Sequence, residues 1–111
     1  MNSKTFEEII TKQIDICKSV LIDKAKQYAD DSDRLHNFKI ASVIEGCTPV
    51  QALAGMMAKH TVSVYDLCRQ HDIGLAIPHE LWEEKITDSI NYLLLLKAVL
   101  AEPEDNEEES H

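Results

Sequence analysis

At 111 residues and 44% hydrophobic, the chain has material for one domain with a single modest core. Only three glycines and 5% aromatics argue against an all-β protein, which draws more heavily on turn and aromatic residues. A formal net charge of −9 with no basic stripe excludes duplex nucleic acid held through its phosphates.

That charge is unevenly spread. Residues 102–111 (EPEDNEEESH) hold six acids and no Lys or Arg, leaving the remainder at −3. The division is into one helical domain over 1–101 and a disordered, solubilising acidic tail over 102–111. The opening MNSKTFEEII has no basic region followed by an apolar one, so no signal peptide is expected. The longest apolar run, Tyr92 to Leu96, falls far short of the ~20 residues that span a bilayer. A cytoplasmic protein without a membrane partner is the expectation. Cys17, Cys47 and Cys68 are odd in number and form no CxxC pair, which points to reduced cysteines used for packing.

In chain order, Thr5 and Glu8 fit a capping box. Behind it Phe6, Ile9, Ile10, Ile14, Cys17, Val20, Leu21, Ala25 and Tyr28 recur at steps of three and four. This spacing predicts a long amphipathic helix ending near Tyr28 to Asp30, broken by the stretch DDSD. A shorter helix is predicted over Asp33 to Glu45, with Gly46 as its left-handed terminator. Thr48-Pro49-Val50-Gln51 is the strongest local signal: N-cap, Pro at the first helical position, and a capping Gln. The helix it opens is expected to stop near His71 or Asp72, with Gly74 ending the region. Pro78 starts a last helix running to about Ala101. Four helices joined by short polar links form an all-α four-helix bundle.

Chemistry concentrates on the last helix, where Glu84, Asp88 and Asn91 stand at i, i+4 and i+7, one stripe. Two readings are open. The stripe lies opposite Trp82, Ile86, Ile90 and Leu93, where an amphipathic helix keeps its solvated side. Beyond it, however, the helix turns apolar on every side through Tyr92 to Leu96, which draws the stripe toward a buried region. Acids entering such a region need a cation, and carboxylates one turn apart suit a Mg²⁺ whose other positions go to water and substrate phosphates. A further ligand must come from another helix. Asp66, with Lys59 and Ser63 on the same face, is the obvious supplier, against the reading that all three are simply solvated. His60 falls within an apolar face and reads first as a core histidine, second as a ligand or general base. Arg34 and Asn37 are candidates to meet a phosphate or base. No Walker loop, GxSxG elbow, zinc spacing or Rossmann glycine set is present.

Lys24-xxx-Tyr28, DRLHNF at 33–38, GMMAKHTVSVYD at 55–66 and EEKITDSINYLLLL at 83–96 together resemble a group of small phage and prophage proteins. These look like distant members of the MazG-like, all-α nucleoside triphosphate pyrophosphatase superfamily. The resemblance spans about residues 20 to 100. It implies a MazG-like four-helix fold, a homo-oligomer, and hydrolysis of a nucleoside triphosphate to monophosphate and pyrophosphate. Mg²⁺ would be held by acids on facing helices: Glu84, Asp88 and Asp66, with Asp66 also a candidate base. Asn91 would position water, and Lys59, Arg34 and Asn37 would bind the nucleotide. Two departures stand out. The family's ExxD is here Glu84-xxx-Asp88, and its EExxE is replaced by Lys59, His60, Ser63 and Asp66. The other expectation is a non-catalytic helical interaction module whose acidic tail engages a protein.

Overall fold

The computed structural model describes residues 1–24 and 33–103. Four α-helices make up the fold, and no strand occurs among the described residues. They are α1 (Ser3–Lys18), α2 (His36–Glu45), α3 (Pro49–Asp72) and α4 (His79–Ala101). A π-helical turn, Ser19–Lys24, continues α1. The expected end of α1 at Tyr28 to Asp30, Asp30 and Asp31 of DDSD, and the acidic tail from 104 onward lie outside the described residues.

The helix ends follow local chemistry. Asn2, not Thr5, caps α1, its side-chain oxygen accepting the Thr5 N–H at 2.9 Å. Asn is the stronger N-cap because its short amide reaches the free N–H groups of the first turn, and this leaves Thr5 inside the helix. α2 starts three residues later than the Asp33 expected. Asp33 instead folds back on the turn, its carboxylate accepting the Leu35 N–H at 3.0 Å. Gly46 closes α2 at φ +69°, and Cys47 N–H reaches back to the Ser42 carbonyl at 2.9 Å, the bonding of a Schellman turn. Thr48 caps α3 by accepting the Gln51 N–H at 3.1 Å, with Pro49 at the first helical position. Gly74, at φ +87°, ends that region, and α4 begins directly after Pro78.

α3 and α4 form an antiparallel hairpin: His60 meets Asp88 and Tyr92, and further along His71 meets the edge of Trp82. α2 crosses at 97° to α3 and packs on it. α1 lies parallel to α4. Gln13 Nε2 donates to the Thr87 hydroxyl at 2.9 Å, and one turn on Asn91 Nδ2 donates to the Cys17 carbonyl at 3.3 Å. The hydrophobic core is small, consisting of Leu53, Cys17, Ala52, Leu67 and Phe38 among the described residues.

Three expectations about burial need correction. The apolar stripe of α1 is not covered along its length: Phe6, Ile9, Ile10 and Ile14 are all exposed. α4 is not buried all round either, since Leu93 and Leu94 face outward. Both follow from each helix having too few neighbours within one chain to surround it. The three cysteines are free, but only Cys17 is a buried packing residue, and Cys68 is exposed. No single helix is long and apolar enough to cross a membrane.

Candidate functional site

The polar stripe of α4 is split by its neighbours. Glu84 is exposed, Asp88 half-buried and Asn91 only 5% exposed. The gradient has a simple cause. α1 lies against α4 at Thr87 and Asn91, and α3 reaches it at Asp88 and Tyr92, so burial deepens along the helix.

At the α3–α4 seam His60 Nδ1 stands 3.6 Å from Asp88 Oδ2, and its ring lies 4.7 Å from that of Tyr92, tilted by 33°. The nitrogen–oxygen distance is too long for a hydrogen bond. His60 Nδ1 is therefore buried without a partner, as are Asn91 Oδ1 and Ser89 Oγ nearby on α4. Leaving such an atom unpaired costs about 1–3 kcal/mol, so each is a place where a bound group or water would be stabilised. Burial first, and the Asp88 charge second, push the Tyr92 hydroxyl above its ordinary value. Tyr92 is thus held neutral across the physiological range, as the ring that shelters His60.

The remaining candidates lie apart from this seam. Asp66 pairs with Arg69 one turn along its own helix. Its charge is thereby answered locally. The Ser63 hydroxyl donates to the Lys59 carbonyl at 3.1 Å, and the Lys59 residue is exposed. Arg34 is half-buried and donates to the Leu21 carbonyl in the π-helical turn at 3.1 Å. A wide turn frees carbonyls from the ordinary ladder, and the guanidinium takes one of them. Asn37 is exposed. Among the described residues no three His, Cys, Asp or Glu side chains are grouped so as to hold one metal ion.

A second polar feature is structural. Lys39 links Asp33 at 2.9 Å to Glu102 at 2.5 Å, joining the entry of α2 to the end of α4. The Glu102 and Asp33 carboxylates hold the Lys39 ammonium well above its ordinary value, and Lys39 lowers Asp33 in turn. All three groups are partly solvated, so the linkage is weak.

Sequence reasoning did not find the Gln13–Thr87 pair, the Asn91–Cys17 bond or the His60–Asp88 approach. Each joins residues far apart in the chain, and periodicity speaks only for one helix at a time. The one available signal for the last was a histidine on an apolar face and an acid on a helix of matching length. No family model matches this chain, and comparisons with curated proteins and with solved structures give no match.

Proposed function

We propose that this chain is a nucleotide-binding relative of the helical nucleoside triphosphate pyrophosphohydrolases, cleaving a nucleoside triphosphate to its monophosphate and pyrophosphate with Mg²⁺. The supporting observation is that His60 Nδ1 on α3 and Ser89 Oγ and Asn91 Oδ1 on α4 are buried without partners, with Asp88 standing 3.6 Å from His60.

The donor set fits a lightly held hard cation. Glu84 and Asp88 stand one helical turn apart toward the exposed end of the stripe, and Mg²⁺ commonly takes one or two carboxylates plus phosphate oxygens and water. Asp66, engaged by Arg69, would join them only by giving up that pair. Once bound with the nucleotide, the cation supplies charge neutralisation and polarisation of the phosphates. The protein's residues do the rest. Lys59, a compact point charge, would meet a phosphate oxygen, and Arg34 would have to release the Leu21 carbonyl to flank the nucleotide with Asn37. Asn91 Oδ1 accepts from the attacking water and orients it. His60, whose buried Nδ1 has no partner in the folded chain, accepts the proton as the water oxygen bonds to the α-phosphorus and the bond to the bridging oxygen breaks. Pyrophosphate leaves with the electron pair of that bond.

The test uses the full chain with Mg²⁺ and each common nucleoside triphosphate, reading products by chromatography and stability by thermal melts. The expected result is monophosphate with pyrophosphate, and a melting shift that needs both ion and nucleotide. Asp88→Asn should abolish turnover, and His60→Ala should lower kcat by about 10²- to 10⁴-fold. A flat response to every combination would end this reading. It would favour a second one, a non-catalytic interaction module, for which the exposed apolar stripe of α1 speaks.

A further inference from the structure

α1 carries one apolar stripe that a neighbour covers only in part. Gln13 and Cys17 rest on α4, whereas Phe6 is 57% exposed and Ile9, Ile10 and Ile14 are 49%, 47% and 46% exposed. Met1 and Phe6 line one surface hollow at the helix start, and Met1 is exposed too. Phe6, Ile10 and Ile14 stand at i, i+4 and i+8, a continuous ridge of the kind that packs into the matching groove of another helix. The molecule is correspondingly drawn out, 57 × 29 × 26 Å with a radius of gyration of 17.2 Å. A compact domain of this size has a radius of about 13 Å.

We propose that this ridge is the contact between two copies of the chain, packed two-fold with Ile10 at the axis and Phe6 of each copy against Ile14 of the other. Three observations select a second copy. The ridge is symmetric about Ile10 in spacing, so the same residues can serve both sides of an isologous contact. Its charge permits close approach: Lys4, Lys12 and Lys18 balance Glu7, Glu8 and Asp15 within α1, while the whole chain stands at −9. Two copies of α1 therefore meet without net repulsion. The area also suffices. The exposed side chains of Met1, Phe6, Ile9, Ile10 and Ile14 amount to roughly 500 Å² per copy, so a pair buries about the 1,000 Å² that a specific interface requires. The parallel register that sets Gln13 beside Thr87 places Ile10 level with Glu84, so the second copy also closes over the exposed end of the α4 stripe.

Sedimentation velocity on the full chain, across micromolar concentrations, tests this. The expected mass is twice the 12.6 kDa of one chain. Ile10→Glu and Ile10→Lys, tolerated because Ile10 is half-exposed, should each sediment as monomers with unchanged helicity by circular dichroism. Mixing the two should restore the dimer, since a residue on the axis meets itself. Oxidised Ile10→Cys should give a cross-linked dimer, with peptide mass mapping finding the disulfide between the two introduced thiols. A wild-type monomer throughout, dimerisation undisturbed by both charged variants, or a mixture that stays monomeric would overturn the proposal. So would the absence of that disulfide, a test that does not depend on the charged variants folding.

Discussion

The two halves of α1 carry the same apolar periodicity but differ in what covers them. In the second half Ile14 is still partly open, but Cys17 is 1% exposed, and its carbonyl and the neighbouring Gln13 are tied to α4. In the first half, Phe6, Ile9 and Ile10 occupy equivalent positions and remain open. The difference teaches that helical periodicity reports which face is apolar and says nothing about how far along the helix a partner extends. α4 repeats the lesson with polar residues: Glu84 and Asn91 share a stripe, yet one is solvated and the other is buried under α1.

Substitutions can break or sharpen that comparison. The largest loss should follow Leu53→Ala in the fully buried core of α3, about 2–5 kcal/mol in urea unfolding, because a cavity adds to the lost transfer energy. A loss well under 1 kcal/mol would mean the core collapses around the gap. Asn91→Ala comes next, at about 1–3 kcal/mol, since it strands the buried Cys17 carbonyl and releases the docked half of α1. Faster amide exchange should then appear in α1 ahead of α3, and uniform exchange would contradict the view that this bond holds the helix. Phe6→Ala in the open half should cost less than about 0.5 kcal/mol in dilute monomer. If it instead matched Leu53→Ala under monomeric conditions, the uncovered half would be packed after all.

The smallest effect concerns the Asp33–Lys39 pair. Lys39 lowers the Asp33 carboxyl below its ordinary 3.8 in the folded chain. The stability this contributes is therefore present above the unfolded value and disappears as pH falls through the folded one. Wild type and Asp33→Asn should converge in melting temperature on acidification below pH ~4, with the gap narrowing in high salt. A gap that widened in acid would reverse the assignment.

Much of this architecture was legible beforehand, for reasons tied to particular residues. Thr48-Pro49-Val50-Gln51 opens a helix because a hydroxyl, a ring without N–H and a capping amide each satisfy the first turn locally. Gly46 closes one because a left-handed φ is strained for other residues. Thr5 misled because Asn2, three residues earlier, satisfies the same free amides better. The candidate site was legible only as a stripe on one helix. That Asp88 faces His60, that Asp66 turns to Arg69, and that Asn91 is roofed by α1 depend on neighbours distant in the chain.

What the amino-acid order determined by itself was local: four helices, the start of α3 and the glycine that closes α2, the face of each that is apolar, and the polar stripe of α4. Those follow from backbone hydrogen bonding and side-chain spacing within a few residues. The tertiary structure alone decided which parts of each face are covered, which polar atoms are buried without partners, and where α1 runs out of neighbours. Burial is a property of the whole packed chain, set by how far one helix overlaps another, and no short stretch of sequence contains that length.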